Sequence, residues 1–502
     1  MKPIFLDQNN SSDGFLYIQI YEILKHRILS GELVSGEKLP SLRLLAANLG
    51  ISVTTVELAY SQLLVEGYVT SKPKSGYYVA GIAPAVRGSA DGLAGGGRPQ
   101  PTADGVRPAG AAEGGSPQAA CQADRKAAFD FDPHSNDLTS LRFSLKPSQY
   151  ITDPGCFDFV KWKKCAAKVY NECSELLLFE SDPQGEEALR FEISKYLYTS
   201  RGVTAGPERI VIGAGTQQIT GHLSRILLKM GISLVSLESP GYLPVQSMFR
   251  DAGFTVSHIP VISDGIDIGK LPTNLRSAAY VSPSNQFPTG AVMPIGRRQA
   301  ILDWAAENNS IIIEDDYDSE LRYFGKPVPA LQGLDKFGCV VYLGSFSSTL
   351  FPAVKISYMV LPENMAEIFR EIKYQYTQTC SKAEQLTLAF FMEGGYYYTG
   401  IRKLRSLYSQ KLQTVLTAFS ECGKDFVAPV NTHSGINLTL KVRSRKKAEQ
   451  LCEEAKSLGL QLVPLSEITD QESSALNFYY SQLPLSQIDE LVKKLTELWE
   501  SE

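Results

Sequence analysis

The eight cysteines of this 502-residue chain, at 121, 156, 165, 173, 339, 380, 422 and 452, form no C-x-x-C pair. That scatter offers neither zinc-ligand spacing nor a disulfide framework, and it reads as buried thiols in a reducing compartment. No apolar run approaches the roughly 18 residues that a membrane span requires. The opening residues, MKPIFLDQNNSSDG, lack the basic and apolar regions of a signal peptide. A cytoplasmic protein with no membrane or metal site is expected. A formal charge of −5 excludes a global attraction to nucleic acid, so any DNA contact must be local.

What is present is length and alternation. A chain of 502 residues is too long for one core and implies two or three domains, and 43% hydrophobic with 21% charged residues describes an ordinary globular composition.

Within residues 1–80, Leu16, Ile20, Ile23, Leu24 and Ile28 repeat at helical spacing, and Gly31 is placed to stop that helix. A second helix carries Leu42, Leu45, Ala46 and Leu49 on one face and ends at Gly50. Ser52 is placed to cap a third, whose apolar face is Val56, Ala59, Tyr60, Leu63 and Leu64 and which Gly67 closes. Two β-prone runs follow, Tyr68–Ser71 and Tyr77–Val79, joined by Lys72-Pro73-Lys74-Ser75-Gly76. Three helices and a basic-tipped hairpin make a winged helix-turn-helix.

The stretch from Gly31 to Gly67 resembles the GntR family of DNA-binding domains, whose pattern G-x-x-x-x-G-x-x-L-P-S-x-R-x-L-A…S-x-x-T-V-x-x-A-Y-x-x-L-x-x-E-G it follows in order. The resemblance implies that Ser41 and Arg43 touch phosphate and base edge, that Thr54 and Thr55 open the recognition helix, and that Lys74 and Gly76 form the wing tip. Side chains at the start of a recognition helix are the ones that reach the major groove. Val53 stands where many members carry arginine. The seven basic and seven acidic residues of 1–80 cancel. With so few phosphate partners per protomer, useful affinity calls for a homodimer reading two half-sites of operator DNA.

From 81 to 128 the composition shifts to Ala, Gly and Pro, as in Gly95-Gly96-Gly97. The expectation is a flexible linker, either a tether whose reach matters or an inert spacer.

Beyond Phe129, β runs alternate with amphipathic helices, the signature of an α/β domain with a mostly parallel sheet covered on both faces. The strands expected are Arg209–Ile212, Leu234–Leu237, Ala278–Val281, Ile311–Glu314, Val340–Leu343 and Ile356–Leu361. Ligands of such sheets lie outside the carboxyl ends of the strands. At those ends stand Gly213–Gln218, a phosphate-type helix start or an ordinary turn, then LESPGY with Tyr242, then the Ser282–Gly290 loop, and then IIIEDDYDSELR. The domain is divided at about 377, and residues 378–502 are expected to form a small α+β lobe. Arg443-Ser444-Arg445-Lys446-Lys447 reads as a solvated helix start in preference to a nucleic-acid patch.

This ordered set, with YLGSFSSTLFPAVKISY at Tyr342–Tyr358, resembles the MocR subfamily of GntR regulators, in which a winged helix is fused to a fold-type I pyridoxal-phosphate (PLP) module. The resemblance implies that Asp315 pairs with the pyridine nitrogen, Tyr317 and Asn285 lie near the cofactor's O3′, and Tyr242 stacks on its ring. It implies a phosphate cup of Gly215, Thr216, Gln217, Ser345, Ser347 and Lys355. The anchoring motif S-x-S-K-T, however, has Ser348 where the lysine belongs, and Lys355 where an arginine is usual. A hydroxyl forms no imine with an aldehyde, so no catalytic residue is assigned and the domain is expected to be inactive as an aminotransferase. No arginine follows Arg445 to hold a substrate carboxylate, and the matching strand reads Ser474-Ala475-Leu476-Asn477-Phe478.

Three readings follow. The first is a dimeric regulator whose degenerate pocket senses an effector, PLP without a covalent bond or a related metabolite. The second is a PLP-dependent aminotransferase with an accessory DNA domain. The third is a DNA-binding protein whose ligand pocket has become a dimerisation platform.

Overall fold

The structure, a computed structural model, describes residues 13–72, 75–80, 156–262, 264–316, 318–323, 329–423, 425–430, 432, 435–465 and 473–500. The expected linker over 81–128, the wing-tip Lys74 and the cofactor-facing Tyr317 lie outside the described residues.

The N-terminal domain comprises α1 (Asp13–Leu29), α2 (Leu42–Leu49), α3 (Val53–Val65), β1 (Val69–Lys72) and β2 (Gly76–Val79), with the two strands antiparallel. Its core is the expected apolar face: Ile20, Leu24, Ile28, Leu45, Ala46, Val56, Ala59, Tyr60 and Leu63 are all buried. Leu64 departs from that expectation. It is 37% exposed, because the next position after Leu63 on α3 rotates off the core stripe. The end of α2 and the start of α3 are made as the sequence suggests, Ser41 caps α2 as well, and the C-cap of α3 is Glu66, one residue before the expected Gly67. Ser41 and Ser52 accept the backbone N–H groups of Leu44 and Thr55, and Gly50 adopts the left-handed conformation that closes α2.

The large domain runs through α4 (Phe159–Glu172), α5 (Glu187–Arg201), β3 (Ile210–Gly213), α6 (Thr216–Lys229), β4 (Leu234–Ser239), α7 (Leu243–Asp251), β5 (Thr255–Ile262), β6 (Gly265–Ile266), β7 (Ala278–Val281), α8 (Ile295–Glu307), β8 (Ile311–Asp315), β9 (Val340–Ser345) and β10 (Ser357–Val360). The helices α9 (Glu363–Ile372), α10 (Lys382–Glu393) and α11 (Tyr396–Cys422) follow. Eight strands form one sheet in the order β3-β10-β9-β8-β7-β4-β5-β6. The sheet is mostly parallel, as expected, but β10 runs antiparallel to both β3 and β9. Apolar clusters cover both faces, one from α6, α7 and α9 and the others from α4, α5, α8 and α10.

The small lobe adds β11 (Val427–Val430), β12 (Leu438–Val442), α12 (Ala448–Ser457), β13 (Leu462–Pro464), β14 (Ser474–Phe478) and α13 (Ile488–Glu500), with a four-stranded antiparallel sheet. Its own core begins at Leu404 of α11, later than the expected division near 377. Leu388, Phe391, Met392 and Tyr397 belong instead to the large-domain cluster, so α10 and the start of α11 pack with α4. Strand β11 was not expected: VAPV is short, and a proline weakens a strand reading.

Candidate functional sites

Two faces carry the chemistry. The first is on the winged helix. Ser41, Arg43, Ser52, Val53 and Thr54 are exposed at the starts of α2 and α3. Thr55 is not. It is 4% exposed and its hydroxyl lies 2.7 Å from that of Ser52, so this residue fixes the helix start and only Thr54 of the pair faces outward. Ser41 serves first as the N-cap of α2 through its side-chain oxygen. Gly76, with φ +110°, opens β2 at the wing. The wing holds a cationic grouping that motif reading missed. Lys72 Nζ lies 4.7 Å and Lys38 Nζ 5.8 Å from the centre of the Tyr78 ring, whose hydroxyl is 2.6 Å from Ser75 Oγ. Tyr78 at β-strand spacing gave the only signal, an aromatic between lysines.

The second face lies at the carboxyl ends of the sheet. The antiparallel insertion of β10 is what assembles it. Ser357 is in register with Gly213 on one side and with Ser345 on the other, which brings the start of α6 alongside the end of β9. There Ser357 Oγ donates to Ser345 Oγ at 2.9 Å, and Ser345 Oγ accepts the Ser347 N–H at 3.3 Å. Gly215 has φ +89° and open space where a Cβ would be, and Thr216 begins α6, whose first N–H groups have no partner within the helix. Gln217 is exposed on the same turn. Lys355, at φ +49°, sits exposed at the entry to β10. Helix N–H groups, three serine hydroxyls and one lysine are a donor set for a dianion. Ser357 and Thr379, whose Oγ1 accepts the Ala214 N–H at 3.0 Å, complete the edge and were not anticipated.

Across the sheet, Asp315 closes β8. Its Oδ2 accepts the Tyr280 hydroxyl at 2.5 Å, and burial pushes its pKa up to about 6 against the lowering effect of that bond. The neighbouring Asp316 has a different task. Arg201 Nε and Nη2 donate to its two oxygens at 2.9 and 2.6 Å, with both side chains 1% exposed, and Ser319 and Tyr342 add further hydrogen bonds. The acidic pair therefore divides into one carboxylate held by Arg201 and one held by the Tyr280 hydroxyl. Asn285 is buried in its loop, and Ser348 is half-buried beside Ser347. Tyr242, 42% exposed, caps the start of α7. Beside it opens a cleft of about 340 Å³ lined by Glu238, Tyr242, Gln246, His258, Tyr280 and Ser282. No lysine lines it. Glu238 is 6% exposed and its pKa rises to about 8, chiefly through burial.

In the small lobe, Asn437 Nδ2, just before β12, donates to Asn477 Oδ1, so a neutral amide stands in β14, the strand where a carboxylate-binding arginine was sought. The basic cluster Arg443–Lys447 precedes α12, and Lys447 is that helix's N-cap, as a solvated helix start requires.

Comparison with known proteins agrees with both halves. Residues 16–79 match the family described as bacterial regulatory proteins of the gntR family, and residues 147–495 match aminotransferase class I and II. The HTH-type transcriptional regulator YdeL of Bacillus subtilis is 36% identical over 98% of both chains, and the probable rhizopine catabolism regulatory protein MocR of Rhizobium meliloti is 30% identical over 91% of this chain and 88% of its own. This chain belongs to the MocR-type GntR regulators. The fold of its large domain is that of aminotransferases: a kynurenine aminotransferase of Pyrococcus horikoshii superposes with a TM-score of 0.60 at 24% identity, covering 70% of this chain and 89% of that one. LysN of Thermus thermophilus, an α-aminoadipate aminotransferase, gives 0.60 at 23%, covering 70% and 90%. Among the described residues, no helix is long and apolar enough to cross a membrane and no cluster of metal-ligating side chains occurs.

Proposed function

We propose that this chain is a cytoplasmic transcription regulator that binds operator DNA as a homodimer through residues 1–80 and senses an effector in its aminotransferase-like domain without transaminating it. The observation that carries the reading is a mismatch among the residues at the carboxyl ends of one sheet. Dianion donors stand at the start of α6 and the end of β9, and a carboxylate stands at the end of β8 with Tyr242 as the ring platform. Position 348, where the anchoring amine belongs, is a serine. That donor set fits the phosphate and ring nitrogen of PLP and does not fit covalent attachment. PLP, when bound, supplies a phosphate, a protonated ring and an aldehyde. Asp315 would hold the ring nitrogen, the α6 N–H groups with Ser345, Ser347 and Lys355 would hold the phosphate, and Tyr242 would cover the ring.

A relative supports the ligand class. The pyridoxine biosynthesis regulator PdxR of Corynebacterium glutamicum is 28% identical over 82% of this chain. Effector occupancy would act by shifting the population of domain arrangements. The test is a mobility-shift titration of the full chain against DNA selected by it from a random pool, at two salt concentrations and with or without PLP. Salt-sensitive, sequence-dependent binding that PLP changes supports the proposal; binding to no sequence overturns it.

A further inference from the structure

The loop that carries Asn285 meets the small lobe at a glycine. A Cβ placed on Gly435 would lie 3.1 Å from Nδ2 of Asn285 and 3.7 Å from Oδ1 of Asn437, so both amides reach the same backbone position. Gly435 has φ +82° and is held at each polar atom. Its N–H donates to the Leu321 carbonyl at 2.9 Å, and its carbonyl accepts the hydroxyls of Tyr323 and Tyr480. Thr439 Oγ1, in β12, lies 3.4 Å from the Pro288 carbonyl and closes the same seam. A side chain at 435 would crowd Asn285 and strain the backbone.

The amides of this seam have a direction. Asn437 Nδ2 is committed to Oδ1 of Asn477, which is 1% exposed, and Asn477 in turn hydrogen-bonds the Tyr479 phenol. Oδ1 of the half-buried Asn437 has no hydrogen-bond donor among the described residues, and a free acceptor calls for a donor. Local charge agrees. Burial first, and then the charge on Asp318, itself 2% exposed, pushes the Tyr479 phenol up. Among the described residues no lysine or arginine hydrogen-bonds Asn437 or Asn477. A ligand carboxylate here would bring only acceptors to an acceptor, close to an anion and with no cation on either amide.

On the PLP reading proposed above, Asn285 lies beside O3′ of the ring. The ring carbon that bears the aldehyde is next to the one that bears O3′, so a substituent at the aldehyde carbon leaves the ring on the Asn285 side. We infer that the Gly435 seam is a subsite for a tail carried on the phosphopyridoxyl ring, and that it takes an uncharged tail with a hydrogen-bond donor, a carboxamide or a hydroxyl, in place of a carboxylate. This subsite rests on the PLP reading of the pocket. Asn437 accepts from the tail, Asn477 orients Asn437, and the glycine leaves the space between Asn437 and Asn285 open.

The test uses the full chain and three stable amines, made by joining PLP to leucinamide, leucinol or leucine and reducing the product. They share ring and side chain and differ only in the terminal group. Calorimetry should give the leucinamide and leucinol compounds dissociation constants about tenfold or more below that of the leucine compound. Asn437→Ala, which removes the acceptor, should bring the three constants within about twofold of one another. The wild-type series decides without the variant. A leucine compound that binds wild type as tightly as the two neutral ones overturns the subsite, as does an Asn437→Ala chain that keeps the full preference. Heat from PLP with none from the leucinamide or leucinol compound also overturns it, while the PLP reading stands. No heat from PLP or from any of the three removes the PLP reading and the subsite with it.

Discussion

The Tyr280 hydroxyl donates to Oδ2 of Asp315 at 2.5 Å, across two neighbouring parallel strands. The bond favours the carboxylate against the effect of burial, and so favours the charged form that the proposed pairing of Asp315 with a protonated ring nitrogen requires. Tyr280→Phe should weaken PLP binding several-fold, and Asp315→Ala should abolish heat of binding in calorimetry. Unchanged heat in both variants would mean that PLP, if it binds, does so elsewhere.

Restoring the missing amine tests whether the remainder of the cradle survives. Ser348 is half-buried directly after the serine row. Ser348→Lys should turn yellow with PLP and yield a borohydride-stable adduct at position 348. A colourless variant would show that the neighbouring donors no longer hold the aldehyde within reach of a lysine there.

Stability should fall as pH rises from about 5 to about 8. Burial raises Glu238 to about 8 and Glu314 to about 7, against 4.5 for an ordinary glutamate. Over that window the folded chain keeps protons that the unfolded chain releases, and this contribution is fully present at low pH and is lost through the folded values. Glu238→Gln keeps an oxygen for the Ser282 N–H and should flatten the slope by ~1 kcal/mol or more. Thermal melts at pH 5.5 and 8.5 measure it, and equal slopes in wild type and variant would refute the assignment.

On the DNA face, Thr54→Ala should relax sequence preference and cost ~1–3 kcal/mol of specific binding, while Lys72→Ala should weaken all sequences alike and reduce the salt slope by about 1. Thr55→Val should act on folding of the N-terminal domain, because its hydroxyl is paired with Ser52. A specific loss of DNA sequence preference in Thr55→Val with unchanged stability would reverse the roles of the two threonines.

Breaking the buried pair by Arg201→Ala should destabilise the large domain by ~3–5 kcal/mol, since Asp316 would remain buried without its cation. Chemical denaturation measures it. A loss under ~1 kcal/mol would show that Asp316 becomes neutral without the arginine at little cost.

Much of this was legible in the sequence because it depends on short-range signals. Ser52, Gly50 and Gly67 fix helix ends from their own chemistry, and β runs of Ile and Val mark the central strands whatever packs on them. The candidate pocket residues are singled out by their order at strand ends. What escaped depends on partners far apart in the chain. Ser357 enters the phosphate-type cup only because β10 runs antiparallel between β3 and β9, and Tyr280 meets Asp315 only because β7 and β8 are neighbours in register. The motif singles out Asp315 but gives no role to Asp316, whose partner Arg201 reaches it from α5. Thr55 likewise shares the chemistry of Thr54 and differs by one step of helical rotation. The seating of Glu66 and Gly67 on Pro294 and Ile295 joins residues more than two hundred positions apart, beyond any local pattern.

The most direct measurement is peptide-mapped mass analysis of the full chain after equilibration with PLP and borohydride reduction, beside calorimetry of the same sample. The expected result is saturable binding that Asp315→Ala removes, with no stoichiometric phosphopyridoxyl adduct on any side chain. One adduct per chain on a single lysine, lost in Asp315→Ala, would contradict it and return the domain to covalent PLP chemistry.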